Sequence, residues 1–496
     1  MSNPLPPLVA ERLRALRERP IDPTEKGFGP LAAAGAARLA ADRPALHAAG
    51  FTYPLLTLRE SALANNIAAM AAYCDRAGVA LAPHGKTAMS PELAARQLAH
   101  GAWGITVATV GQLRTYRAFG FPRLLLANEL VDEAGIAWLA AELAADPGFE
   151  AYCYVDSTDG VAILDRVLSH LPGHLPGRQP AGRRLGVLVE IGHAGGRTGC
   201  RTDAQALDVA KAAAATGTLR VAGVAGYEAG YEPGNEPGNE QGIGAGSQAA
   251  ALGLIAAFCR RLRGLAGTLA TASNSGASSG SGFGASSGAS SGASSGSGSG
   301  ASSGASSGWG FGDEFIVTAG GSAYFDVVTR ELTAGGTAGM TVILRSGAYV
   351  THDHGYYGTI SPAHRDSRGS WDSWGSWDEA DAPVLRPALE LWAQVLSRPE
   401  PGLALLGAGR RDVGFDKGLP VPLRVVRQGV PTGITGEVTE LNDQHAYLRL
   451  DSETALAPGD LVCLGISHPC TTLDKWRVIP VVDDDGHVID AVHAFF

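Results

Sequence analysis

The sequence predicts an α/β chain: a (β/α)8 barrel followed by a C-terminal mostly-β domain. Three observations carry this. From about residue 52, apolar runs of strand length alternate with Ala/Leu/Arg-rich segments of helical spacing, and eight such runs can be counted. After about residue 338 the alternation stops, and short β-rich runs are separated by Gly, Pro and Asp turns. The residues most able to do chemistry fall where apolar runs end, which is where a barrel keeps its active site. A doubly wound open sheet is the competing architecture for the first part. A chain of 496 residues is long enough for one large domain and a smaller one. The expected divisions are 1–50, an N-terminal segment packing on the β domain or a partner subunit; 51–337, the barrel; and 338–496, the β domain.

The barrel strands are expected at Tyr53–Leu58, Val79–Pro83, Gly104–Ala108, Leu124–Asn128, Ala151–Asp156, Leu185–Ile191, Val221–Tyr227 and Phe315–Ala319. Helical spacing is clearest over Pro91–His100 and Gly111–Phe119. Ser90 followed by Pro91 is a helix start, a capping hydroxyl and then proline at the first position. Residues 232–240 repeat a Glu-Pro-Gly-Asn unit and read as a surface loop. Between Ser273 and Gly310 an Ala-Ser-Ser-Gly array cannot bury apolar surface, so it is expected to be a flexible insert before the last barrel strand. In the second part, strands are expected at Thr341–Leu344, Leu423–Arg427, Gly433–Glu440, Ala446–Leu450 and Leu461–Ile466, with helical periodicity only around Val384–Ser397. The stretch from Ser367 to Glu379 carries three Gly-Ser-Trp-type units and is open to two readings, a mobile loop or an aromatic patch over the active site or a partner.

Composition excludes several function classes. The formal charge of −10 argues against nucleic acid as the main partner. No apolar run approaches the ~20 residues that span a bilayer. The N-terminus, with Glu11, Arg12, Arg14, Arg17, Glu18 and Arg19, lacks the apolar core of a secretion signal. Six cysteines scattered at 74, 153, 200, 259, 463 and 470 form no disulfide framework, and a cytoplasmic location is expected.

Two short motifs point to chemistry. Pro83-His84-Gly85-Lys86-Thr87 ends the second apolar run. A lysine at a strand exit is well placed to form a Schiff base, although a lysine alone more often serves as a surface ion-pair partner. His468-Pro469-Cys470 follows another apolar run, and on extended backbone its imidazole and thiol would face one side, the minimum for a soft divalent metal such as zinc. The other strand exits bring Thr109, Asn128, Asp156, Glu190 and Tyr227 toward the mouth. Arg197 follows a glycine run and is open to two readings: it holds a carboxylate or cofactor ring, or it pairs with Glu190. Tyr227 either bonds a pyridine nitrogen or is a half-buried aromatic. Gly320, Gly321 and Ser322 let backbone N–H groups and a hydroxyl approach an anion, where barrels commonly seat a phosphate; an ordinary turn is the alternative.

Taken in order, Lys86, Arg197, Tyr227, Gly320-Gly321-Ser322 and His468-x-Cys470 make the chain similar to the D-serine dehydratase/D-threonine aldolase family, over roughly residues 50–496 without the inserts. The resemblance implies an alanine racemase-type barrel and pyridoxal 5'-phosphate held on Lys86, with His84, Arg197, Tyr227, Gly320, Gly321 and Ser322 binding the cofactor. Gly347-Ala348-Tyr349-Val350 resembles the family's Gly-x-Tyr-Val segment, so Tyr349, with Thr87, is expected to bind substrate. His468 and Cys470 would hold Zn2+ or another divalent metal, and the cysteine places the chain with the dehydratase-like members, where aldolase-like members carry aspartate. The resemblance further implies a homodimer and a lyase acting on a D-β-hydroxy amino acid such as D-serine, giving a 2-oxo acid and ammonia. Retro-aldol cleavage, racemisation and non-catalytic pyridoxal-phosphate binding are the alternatives. Ala82, where many members carry arginine, and the Gly/Ser array depart from the pattern.

Overall fold

The computed structural model describes residues 3–31, 33–47, 50–170, 184–228, 231, 248–275, 314–337, 339–362, 383–427, 429–451 and 454–496. The repeated turn unit at 232–240, the Gly/Ser array from residue 276 onward and the Trp-rich stretch lie outside them.

Among the described residues, eighteen strands form two sheets. In chain order, β1 (Leu55–Arg59) is followed by β2 (Ala80–Leu81), β3 (Ile105–Val107), β4 (Arg123–Glu129), β5 (Glu150–Val155), β6 (Leu185–Ile191), β7 (Leu219–Gly226), β8 (Phe315–Ala319) and β9 (Met340–Leu344). Strands β2 to β9 make a parallel sheet in the order β2-β9-β8-β7-β6-β5-β4-β3. Its two ends meet: Trp103 N–H donates to the Leu81 carbonyl (2.7 Å) and Thr106 N–H to that of Pro83 (3.0 Å). The eight strands therefore close into a barrel, as the alternation of apolar runs and helices leads one to expect. Ala82, Leu125, Tyr152, Tyr154, Leu188, Ala222, Ala225, Ile316 and Ile343 fill its interior. The helix Pro91–Ala99 begins as expected, with the Ser90 hydroxyl accepting from Leu93 N–H (3.4 Å).

The second sheet is formed by β1 with β10 (Leu389–Glu400), β11 (Leu403–Leu406), β12 (Val421–Arg427), β13 (Val430–Gly433), β14 (Gly436–Leu441), β15 (Ala446–Leu450), β16 (Leu461–Gly465), β17 (Val478–Val482) and β18 (Val488–His493). Three expectations need correction. The run expected as the first barrel strand is β1, which lies between β10 and β17 in this other sheet, with Leu55 opposite Trp392 and Leu58 opposite Val481. The eighth barrel strand is β9, expected in the β domain, which fits between β8 and β2. An apolar run buried on both faces does not say which sheet it joins. Third, the helical spacing around Val384–Ser397 is overridden: Leu389–Glu400 is a strand paired with β1 and β16.

The N-terminal segment rests on the β domain. Leu46 N–H donates to Gly486 O and Val488 N–H to Pro44 O. Ile21, Phe28, Ala36 and Leu39 pack with Leu55, Trp392 and Val488. Beyond the barrel mouth, β18 reaches back to the barrel: the Glu92 carboxylate accepts from His493 N–H (3.1 Å), and Phe495 N–H donates to Met89 O (3.0 Å).

Candidate active site

The lysine is set by a tight turn. After β2, residues Gly85–Thr87 form a 3-10 turn. The Tyr116 hydroxyl donates to Gly85 O (2.9 Å), and a Cβ at Gly85 would lie 2.5 Å from that hydroxyl, so only glycine fits. Lys86 projects into the open mouth and is accessible, yet its amine sits deep enough that lost hydration lowers its pKa. The charges of Arg197 and Arg345 push the same way, against an opposing contribution from Cys470. Beside it, His84 Nδ1 is buried without a hydrogen-bond partner. Burial, with Lys86 and Arg345 nearby, drives the His84 pKa well below 6.5, so the ring is neutral.

Across the mouth, the loop after β6 is wound on Arg201, whose guanidinium donates to the carbonyls of Gly196, Arg197, Thr198 and Gly199. The Arg197 guanidinium lies 4.6 Å over the ring of Tyr227, at the exit of β7. After β8, Gly320 (φ +95°) turns the chain, and a Cβ there would meet Leu344 at 2.7 Å. The N–H groups of Gly320 (3.1 Å) and Gly321 (2.5 Å) both donate to Glu228, a fully buried carboxylate. Ser322 Oγ accepts from Ala348 N–H (3.1 Å), which leaves its O–H as a donor.

The β domain supplies the other half. His468 and Cys470 lie beyond β16. Pro469 is helical (φ −64°, ψ −42°) and Cys470 opens a short helix, so the pair meets across a turn and not along extended backbone as expected. The two side chains lie close enough to interact. Cys470 Sγ lies 3.5 Å from Thr87 Oγ1, the residue after the lysine. Burial alone would lower the His468 pKa, but Cys470 and then Asp416 outweigh it and the net shift is upward. The rings of Tyr356 and Tyr357 stand 6.1 and 6.3 Å from that of His468 and wall this side.

Of the expected site residues, Lys86, Thr87, Arg197, His468 and Cys470 are thus joined, with His84 and Tyr227 beside them. Tyr349 is not. Its ring is 1% exposed, and its hydroxyl accepts from Gln97 Nε2 (2.9 Å), because the 3-10 turn Ala348–Val350 directs it into the barrel's helical shell. Four further groups went unread or were only glimpsed. Glu228 follows Tyr227 directly, but nothing local marks it as buried. Arg345, at the exit of β9, donates to Thr318 Oγ1 and Gly226 O. Asp416 faces His468 Nδ1 at 2.7 Å. Glu129, Asp156 and Glu190 crown the inward faces of β4, β5 and β6, with ligand atoms within 4.8 Å of one another. Burial, then the hydrogen bond and charge of Glu190, pushes the Glu129 pKa up. Strand alternation from Leu125, Tyr152 and Leu188 could have found this crown.

Two family models match the chain: "Alanine racemase, N-terminal domain" over residues 58–283 and "Putative serine dehydratase domain" over residues 388–482. Together the two matches support the D-serine dehydratase/D-threonine aldolase family as the chain's relatives. A D-threonine aldolase of Arthrobacter sp is 32% identical over 174 residues, 35% of this chain and 42% of that one. A 3-hydroxy-D-aspartate aldolase of Paracoccus denitrificans is 28% identical over 176 residues, with the same shares. The chain thus matches less than half the length of these curated relatives. Among solved structures, D-threonine aldolase from Filomicrobium marinum aligns with a TM-score of 0.62 at 20% identity, covering 90% of this chain and 95% of that one. D-threo-3-hydroxyaspartate dehydratase from Delftia sp. HT23 aligns at 0.60 and 20%, covering 90% and 97%. These likenesses establish a shared fold. Among the described residues, no helix is long and apolar enough to cross a membrane.

Proposed function

We propose that the protein is a pyridoxal-phosphate- and metal-dependent lyase that dehydrates and deaminates a D-β-hydroxy amino acid such as D-serine. The observation that carries this reading is the contact of Cys470 with Thr87, which brings a thiol–imidazole pair beside Lys86. The residues fit both groups. A desolvated lysine amine, the Arg197–Tyr227 pair and an unpartnered His84 Nδ1 face one mouth. A soft thiol and an imidazole are a donor set for zinc and leave positions for water and substrate. Glu228 already accepts from Gly320 and Gly321 N–H, so an anion there would rest on the Ser322 hydroxyl and the N–H groups at the start of the helix Phe325–Thr333.

When bound, pyridoxal phosphate would serve as electron sink for the α-carbon, and zinc as Lewis acid on the β-hydroxyl. Lys86 Nζ takes the α-proton, and lost hydration lowers its pKa, the direction that a general base needs. His468 and Cys470, with the thiol beside Thr87, would hold the metal. Tyr356 and Tyr357 limit water there. Arg197 offers a fixed charge for the substrate carboxylate or cofactor. We further propose that the enzyme works as a homodimer in the cytoplasm.

Retro-aldol cleavage is the second reading, supported by the aldolase names of the curated relatives. One assay separates them. Purified protein with pyridoxal phosphate and zinc is given D- and L-serine, D-threonine and D-3-hydroxyaspartate. Ammonia with a 2-oxo acid is the expected outcome. Glycine plus an aldehyde would replace this reading with the aldolase, and the L-isomer alone would make the protein a racemase. Lys86→Ala should abolish every product.

A further inference from the structure

The imidazole of His468 has two nitrogens. One of them, Nδ1, faces Asp416 Oδ2 at 2.7 Å and Thr471 Oγ1 at 3.2 Å. Asp416 lies in the loop between β11 and β12, fifty-two residues before the histidine. Its second oxygen, Oδ1, accepts from Thr471 Oγ1 at 2.6 Å, and Thr471 is the residue after Cys470. One carboxylate thus grips the His468–Thr471 segment at two points.

The loop that carries it is itself fixed. Gly414 N–H donates to Thr472 Oγ1 (2.9 Å), and any side chain at Gly414 would collide with Thr471. Gly418 O accepts from Ser467 Oγ, and Asp416 is bridged to Gly418. Contacts on both sides of Asp416 leave little freedom for its backbone. A carboxylate acceptor at Nδ1 selects the tautomer with hydrogen on that nitrogen, so the lone pair stands on Nε2. It also holds the ring plane and makes Nε2 a better donor, as carboxylates behind metal-bound histidines commonly do.

We infer that Asp416 is a positioning residue for metal binding: it holds His468 with Nε2 available beside the Cys470 thiol, and Thr471 keeps the carboxylate in place. The inference rests on the proposed metal role of His468 and Cys470 and adds to it. A plain surface ion pair between Asp416 and His468 would look similar in geometry but would have no effect on metal affinity.

The test measures zinc affinity of the full chain by competition with a chromophoric chelator. It also records the absorption of the cobalt-substituted protein, whose thiolate-to-cobalt band reports Cys470. His468→Ala and Cys470→Ala are read first. If both bind zinc as tightly as the wild type, the metal reading itself fails. If both lose zinc, Asp416→Ala is expected to weaken binding about 10–100-fold while keeping the thiolate band at saturating cobalt. Asp416→Asn keeps an oxygen that can accept from Nδ1–H and preserves the size of the side chain, so a smaller loss is expected. Zinc affinity in both Asp416 variants equal to wild type would overturn the inference while leaving the metal reading standing. If Asp416→Ala does not fold, Asp416→Asn and Thr471→Val decide: each should weaken zinc binding measurably, and unchanged affinity in both rejects the role.

Discussion

Lys86 is the residue whose environment departs most usefully from that of a surface lysine. Its amine loses hydration, and Arg197 and Arg345 add two unfavourable charges. A lysine whose pKa is lowered is unprotonated at a pH where ordinary lysines, at about 10.4, are still charged. In cofactor-free protein, acylation of Lys86 followed by peptide mapping should therefore set in at lower pH than at the exposed Lys211. Arg197→Met removes one of the opposing charges, so the folded pKa rises and the onset moves to higher pH. An onset at Lys86 that matches that at Lys211, or that moves downward in Arg197→Met, would reject this account. Residues of this kind were legible to different degrees. Lys86, His468 and Cys470 stand in short motifs where apolar runs end, and a strand exit is a place the sequence marks. Asp416 meets His468 only through the fold, and its loop has no period to read. Tyr349 shows the opposite failure: it sits beside the site in sequence, but one 3-10 turn sends its ring to Gln97.

Elements are legible by their period, and partners are not. The alternation of strands and helices was plain, and so were the ends of most barrel strands, because each apolar run is bounded by polar or turn residues. Which runs share a sheet is decided by distant pairing. That is why β1 and β9 exchange the places expected for them, and why the helical spacing near Trp392 yields to pairing with β1 and β16. Gly223 shows how tight such pairing is. It lies in β7 opposite Ile316 of β8 with φ +153°, and a Cβ there would meet the Ile316 carbonyl oxygen itself. Backbone cannot yield as a side chain can. Gly223→Ala should therefore destabilise the barrel by about 2–5 kcal/mol, read as a lower midpoint of denaturant unfolding. Gly253→Ala, on the helix Gln248–Ser275 with nothing within 4 Å of a Cβ, serves as the control and should be neutral or slightly stabilising. Equal midpoints for both variants would show that the β7–β8 approach is looser than described.

At the scale of the whole molecule, the site exists only because two sheets meet. The lysine comes from the barrel and the thiol–imidazole pair from the β domain, with Cys470 against Thr87. The junction is held away from the chemistry as well, where His493 and Phe495 bond to Glu92 and Met89, just after the lysine turn. Such a division suggests a division of labour. Stabilising charge at the α-carbon needs the barrel residues alone, whereas expelling a hydroxyl from the β-carbon needs help, because hydroxide is a poor leaving group. Cys470→Ala, or removal of metal by a chelator, should abolish ammonia release while pyridoxal phosphate stays bound and exchange of the substrate α-proton with solvent persists in part. Cys470→Asp should still bind metal but shift preference toward ions that favour oxygen, such as Mn2+, and make retro-aldol cleavage of D-threonine measurable. The exchange experiment is the discriminating one. If loss of Cys470 stopped exchange as completely as loss of Lys86, the thiol would be needed for the barrel half to work at all. Dehydration that continues undiminished in enzyme shown by elemental analysis to hold no metal would remove His468 and Cys470 from the reaction.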